Sequence, residues 1–142
     1  MTIYAESSAV LAWLLGEPSA ADVRECLASA DVVVASDLTM VECERVLIRA
    51  VAMGELPEAE AAGRRADLNA AAAHWVVLRL GGEVIDRARQ RLPKEPVRTL
   101  DALHLACALV ARTAAPDVDV LSLDDHIRTN ARALGFDLQP AA

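Results

Sequence analysis

Four short runs of β-branched and apolar residues punctuate the chain, each bounded by polar residues: Ile3 to Ala5, Val32 to Ala35, Trp75 to Leu78 and Val118 to Leu121. They read as strands. Between them lie segments with helical spacing: Ala9 to Leu15, Ala20 to Leu27 after Pro18, Met40 to Met53 closed by Gly54, and Glu58 to Leu68 after Pro57. Glu83 to Leu92, Leu100 to Arg112 and Ile127 to Leu134, closed by Gly135, complete the set. Strands that are apolar along their length and alternate with helices predict a mainly parallel sheet covered on both faces, an α/β class. Ligands in such sheets sit beyond the carboxyl ends of the strands.

With 142 residues and no repeat, low-complexity tract or long linker, residues 1–142 are expected to form a single domain. The Ala70 to Ala73 run and the Pro93-Lys94-Glu95-Pro96 turn are the expected flexible points. Three widely spaced cysteines, Cys26, Cys43 and Cys107, with no CxxC pair, suit buried thiols in a reducing compartment. The longest uninterrupted apolar run, Ala9 to Leu15, is too short to cross a bilayer, so a cytoplasmic protein with no membrane partner is expected.

The chain then places acids where this topology would gather them. Glu6 directly follows the first strand, Glu42 follows the second after Ser36-Asp37-Leu38-Thr39, and Asp124 and Asp125 follow the fourth. Asp101 opens the segment Thr99-Leu100-Asp101-Ala102-Leu103-His104-Leu105-Ala106. Each has a local explanation: Thr39-x-x-Glu42 fits a capping box, and acids at helix starts are stabilised by the macrodipole. Glu6 is different, because an acid set among apolar residues needs a partner. A shared Mg²⁺ or Mn²⁺ would account for all four carboxylates at once. Helical rotation separates Glu42 from Glu44, and Glu42 falls on one face with Arg45 and Arg49. Those arginines are placed to hold Glu42 or to meet a phosphate; a surface ion pair explains them equally well.

Taken together, Tyr4-Ala5-Glu6-Ser7-Ser8-Ala9, Ser36-x-Leu38-Thr39-x-x-Glu42, Arg98-Thr99-Leu100-Asp101-Ala102-Leu103-His104-Leu105-Ala106, and Ser122-Leu123-Asp124-Asp125 before Ala131-x-x-Leu134-Gly135 resemble the motifs of PIN-domain ribonucleases. The nearest resemblance is to the VapC-type toxins of type II toxin–antitoxin systems, and it spans essentially the whole chain. It implies a PIN-like three-layer α/β/α sandwich and a Mg²⁺-dependent endoribonuclease, with Mn²⁺ as an alternative, that leaves 5′-phosphate and 3′-hydroxyl ends. By position it implies a catalytic set of Glu6, Glu42, Asp101 and Asp124, with the metal on Glu6, Asp101 and Asp124. Ser8 supports the first acid, and Asp125 is a neighbour whose role stays open. Glu6 departs from the family pattern, which usually has aspartate there, so metal position, metal preference or activity is expected to differ. The resemblance further implies a homodimer, an RNA substrate and a cognate VapB-like antitoxin, with DNA reached only through that antitoxin.

A net charge of −7 opposes a broad electrostatic grip on nucleic acid. Basic residues are nonetheless concentrated at Arg87, Arg89, Arg91, Lys94 and Arg98, next to Asp101, and Arg45, Arg49 and Arg98 are the candidate RNA contacts. With only four aromatic residues, base stacking is a poor recognition mode. Trp13 and Trp75 read as core or interface residues. His104 shares the stripe of Leu100, Leu103, Cys107 and Val110 and reads as a satisfied core histidine rather than a ligand or general base; His74 and His126 make no metal motif. Two other functions fit less of the pattern. One is a PIN-like module that the altered first acid has weakened catalytically, acting by binding protein or RNA. The other is a small-phosphate hydrolase, disfavoured because no Gly-rich phosphate loop is present.

Overall fold

The computed structural model describes residues 1–141. Five strands, β1 (Thr2–Ala5), β2 (Val32–Ser36), β3 (Val76–Leu78), β4 (Asp119–Leu121) and β5 (Leu138–Gln139), form one sheet in the order β3-β2-β1-β4-β5. All four pairings are parallel, with Tyr4 opposite Val34 on one side and Val120 on the other. The chain winds outward from β1 through β2 to β3, then returns to place β4 on the other flank of β1. That reversal opens a crevice at the carboxyl ends of β1 and β4, where α/β sheets bind ligands.

Seven helices cover the sheet: α1 (Ser7–Leu15), α2 (Ala20–Ser29), α3 (Asp37–Ala52), α4 (Glu58–Ala72), α5 (Gly82–Ala88), α6 (Thr99–Ala114) and α7 (Asp125–Ala133). The two-residue period of the strands decides which helices lie on which face. Ile3, Ala5, Val33 and Leu121 pack with Val10, Val23, Cys43 and Leu68, from α1 to α4. Tyr4, Val34 and Val120 point the opposite way and pack with Val84, Leu105 and Ile127, from α5 to α7. Two apolar layers around one parallel sheet make the expected α/β/α sandwich.

The helix ends follow local chemistry. Gly16 closes α1 in the left-handed region at φ 66°, its N–H reaching the Ala12 and Trp13 carbonyls. Ser36 caps α3, its hydroxyl accepting from the Thr39 N–H at 3.2 Å. This replaces the expected Thr39-x-x-Glu42 box: Thr39 lies inside the first turn, which frees Glu42 for another partner.

Three boundaries differ from the sequence reading. Ala70 to Ala72 continue α4 instead of interrupting it, consistent with alanine's high helix propensity. Helix α5 stops at Ala88, short of the expected Leu92. Beyond it, Glu95 accepts from the Leu92 and Val97 N–H groups and organises the turn. Strand β5 has no apolar run to announce it; the carbonyls of Asp137, just before it, and of Gln139 receive the Val120 and Ser122 N–H groups at the edge of the sheet. Cys43 and Cys107 are buried and Cys26 half-buried, all as free thiols. Among the described residues, no helix is long and apolar enough to cross a membrane.

Candidate active site

Glu6 is the residue between β1 and α1, and its backbone N–H continues the sheet by donating to the Leu121 carbonyl. Its carboxylate is buried but not orphaned. Oε1 accepts from the hydroxyls of Ser8 at 2.5 Å and Ser122 at 2.6 Å, while Oε2 accepts from the Ser8 N–H at 2.9 Å and caps α1. Three donors account for most of the acceptor capacity of this carboxylate and leave room on Oε2. The extra methylene of glutamate thus lets the group serve as a helix cap and a crosslink to β4 together.

Ser122 carries the connection onward, because its Oγ also accepts from the Asp124 N–H at 3.1 Å. Asp124 caps α7 through Oδ1, which accepts from the Ile127 N–H at 2.9 Å. Asp101 lies half-buried in the first turn of α6. Burial raises its pKa, the Asp124 charge and then Glu6 push it further up, and Arg98 and His104 offset this in part. Asp124, at the start of α7, and Glu6, after β1, are therefore near enough to Asp101 to disfavour its ionisation.

Glu42 reaches the same crevice from α3. Its Oε1 accepts from Ser7 Oγ at 2.7 Å and lies 2.5 Å from His104 Nε2. Burial would raise its pKa, but the bonds from His104 and Ser7 prevail and hold it below the usual glutamate value. His104 Nε2 is also 3.8 Å from Glu6 Oε2, which closes the set around the four acids.

The donor chemistry fits a hard divalent cation. Carboxylate oxygens remain after the protein bonds are counted, and Asp101 feels the charges of Asp124 and Glu6, offset only in part by Arg98 and His104. Among the described residues, no group of three or more His, Cys, Asp or Glu side chains is placed so as to hold a metal ion.

The comparisons with known proteins agree with this fold. The family model for the PIN domain matches residues 3–133. The chain belongs to the PIN-domain family. It is 37% identical over 134 residues to Ribonuclease VapC46 of Mycobacterium tuberculosis, covering 94% of this chain and 93% of that one. Among solved structures, the PIN domain here resembles the sarcin-ricin loop cleaving toxin VapC20 of M. tuberculosis. That match has a TM-score of 0.66 at 18% identity, covering 94% of this chain and 95% of the other. It also resembles VapBC2 of Rickettsia felis, solved with a promoter DNA fragment, with a TM-score of 0.65 at 10% identity and 98% coverage of both chains. At these identities the structural matches speak for the fold.

Several side chains of this PIN domain take positions that differ from simple expectation. Asp125 is exposed and lines a separate depression with Asp22, Arg128 and Arg132. Glu44 pairs with Arg65 at 2.7 Å, on the other side of α3 from Glu42, as helical rotation requires. Arg45 and Arg49 make no ion pair with Glu42; they line a depression with Ile48 and Met53. Arg98 precedes α6 and is exposed. A groove of about 550 Å³ between α5 and α6 is lined by Ile85, Arg89, Arg91, Val97, Thr99 and Leu103, and by none of the four acids. His104 is buried and satisfied, as its stripe predicts, but the partner that satisfies it is an acid of the site. Ser7 and Ser122 escaped the sequence reading as partners of the acids, and Tyr4 as the partner of His104. The only signal for the two serines was their place directly after strands or beside Glu6.

Proposed function

We propose that this PIN domain is a metal-dependent endoribonuclease, a VapC-like toxin that cleaves RNA phosphodiester bonds and is held in check by a cognate VapB-like antitoxin. What supports the reading is that Glu6 and Glu42 both approach His104 Nε2, at 3.8 and 2.5 Å, while Asp101 feels the charges of Asp124 and Glu6. The 37% identity to a ribonuclease over nearly the full length supports it independently. Residues 1–142 act as one PIN-like unit in this account.

Glu6, Asp101 and Asp124 are the residues that would hold Mg²⁺ or Mn²⁺. Such an ion supplies an acidified water and stabilises negative charge on phosphate oxygens. Glu6 offers Oε2, since Oε1 is taken by two hydroxyls, and Asp124 offers Oδ2, since Oδ1 caps α7. Asp101 has both oxygens free of protein donors among the described residues. Glu42, ionised by its two donors, orients a water or takes its proton through Oε2. Ser8 and Ser122 fix the rotamer of Glu6. Asp125 faces elsewhere and has no part in this scheme.

The substrate backbone has two cationic approaches. Arg98 stands at the start of α6 beside Asp101, and Arg89 and Arg91 line the adjoining groove. Arg45 and Arg49, free of Glu42, offer a second approach along α3. Recognition of a folded RNA through its backbone suits this arrangement better than base stacking. The protein works in the cytoplasm as a homodimer, and reaches promoter DNA only through its antitoxin.

Incubating antitoxin-free protein with total bacterial RNA in Mg²⁺, in Mn²⁺ and in EDTA, beside Asp101→Asn, tests the reading. Discrete fragments in metal that vanish in EDTA and in the variant are expected. Intact RNA from folded protein, with the host's own RNA included, would instead favour a PIN-like module that acts by binding.

A further inference from the structure

A line of buried polar side chains runs behind the acidic crevice, and the nuclease reading does not use it. Thr39 N–H donates to Ser36 Oγ, Ser36 Oγ lies 2.9 Å from the Tyr4 hydroxyl, and that hydroxyl lies 2.8 Å from His104 Nδ1. His104 Nε2 then meets Glu42 Oε1, with Ser7 Oγ at 3.1 Å. Tyr4 is wholly buried and His104 nearly so. The chain begins at a backbone amide of α3, crosses the sheet at β1, passes through α6, and returns to α3 three residues beyond its start.

We propose that His104 is a positioning residue for this centre: locked by Tyr4 through Nδ1, its ring fixes the Glu42 carboxylate so that Oε2 faces the crevice. The inference rests on the nuclease reading for the use made of Glu42, but its geometry stands apart from that reading.

Proton directions follow from the end of the line. An ionised carboxylate only accepts, so Nε2 must carry the hydrogen. In the neutral ring Nδ1 is then an acceptor, and the Tyr4 hydroxyl must donate to it. The Tyr4 oxygen in turn accepts from Ser36. Burial raises the Tyr4 pKa well above its ordinary value, which keeps that donor protonated throughout the working range. With Nε2–H and the Ser7 hydroxyl both directed at Oε1, Glu42 has one oxygen pinned and one unoccupied by protein donors. The pinned oxygen cannot rotate away without stranding a buried imidazole N–H, which is costly in a dry site. His104 touches neither substrate nor, in this scheme, the ion; it acts through Glu42, as an outer-shell partner acts through a ligand.

The test compares the parent with His104→Leu, His104→Gln and Tyr4→Phe at neutral pH. Nitrogen-15 spectra of the histidine rings, with His104 assigned by its loss in His104→Gln, are expected to show a hydrogen on Nε2. Tyr4→Phe is expected to shift that pattern, because Nδ1 loses its donor. On a cleavable RNA, His104→Leu is expected to lower kcat roughly tenfold to a hundredfold, with KM changed less than about twofold. Gln at position 104, whose amide nitrogen can still donate to Glu42, is expected to recover most of the loss. Thermal melts establish that each variant is folded, and if His104→Leu is not, Tyr4→Phe carries the kinetic comparison. A ring whose Nε2 carries no hydrogen would overturn the proposal, as would parental kcat in folded His104→Leu or Tyr4→Phe. Absence of cleavage by the parent itself would sink the nuclease reading, and the ring spectra would still decide whether His104 orients Glu42.

Discussion

Ser122 Oγ donates to Glu6 Oε1 at 2.6 Å across 116 residues of chain, and so joins the carboxyl end of β4 to that of β1. Ser122 is fully buried and also receives the Asp124 N–H. One hydroxyl therefore holds two acids in register. Ser122→Ala removes a donor from a buried carboxylate and an acceptor from a cap residue. It is expected to destabilise the fold by about 1–3 kcal/mol, read as a lower denaturant midpoint with unchanged slope, and to reduce cleavage even where the protein is fully folded.

Asp101 gives the pH dependence of stability. Its folded-state pKa is raised, so the folded protein holds that proton more tightly than the unfolded chain, whose aspartates titrate near about 3.9. Stability from this group is therefore present at low pH and is lost as pH rises through the raised value. Asp101→Asn is expected to raise the melting temperature in EDTA at neutral pH. That advantage should vanish as pH falls below the Asp101 pKa, and Mn²⁺ should narrow it by stabilising the parent alone. Melting curves across pH, with and without metal, check this; a variant less stable than the parent at neutral pH in EDTA would contradict it.

The thiols should react in order of access. Burial, with the charges of Glu42, Glu6 and Glu44, pushes Cys43 up to about 12, and burial raises Cys107 as well. Cys26 is raised too but is half-buried at the surface of α2. Since the thiolate is the reactive form, alkylation of the native protein at mildly alkaline pH is expected to label Cys26 alone. Peptide mapping should find Cys43 and Cys107 modified only after denaturation.

Arg128 secures the edge strand. Its guanidinium donates to the carbonyls of Ser122 at 2.9 Å, Gln139 at 3.2 Å and Pro140 at 3.0 Å. Arg128→Ala is expected to cost about 1.5–3 kcal/mol. It should also speed hydrogen exchange at the Ser122 amide, which bonds to Gln139. Lysine at this position cannot span three carbonyls and should restore little.

The parts that were legible in the sequence are those set by period and position. Ile3, Tyr4 and Ala5 alternate between two apolar layers, and β2 repeats this with Val33 and Val34, so four strands and both helical coats followed from pattern alone. Glu6, Asp101 and Asp124 stood out as candidates because each follows a strand or opens a helix, and Glu42 because of the helix face it shares with Arg45 and Arg49. What was hidden depended on three-dimensional neighbours. Strand β5 exists through backbone bonds to β4 and the Arg128 clamp, neither of which leaves an apolar run. Glu42 looked like half of a capping box until Ser36 proved to be the cap. His104 was correctly placed in the core by its stripe, yet a stripe cannot reveal that the residue opposite is Glu42, 62 positions earlier.

The central claim is that carboxylates from four segments form one metal-dependent phosphodiesterase centre, and the ends of its products test this most directly. Fragments of host RNA made in Mg²⁺ or Mn²⁺ would be sequenced by a method that distinguishes 5′-phosphate from 5′-hydroxyl ends. The account predicts 5′-phosphates and 3′-hydroxyls, formed only with metal and absent with Asp101→Asn. Fragments with 5′-hydroxyls and 2′,3′-cyclic phosphates that persist in EDTA would contradict it, since they would mean attack by the RNA's own 2′-hydroxyl without the metal ion proposed for these acids.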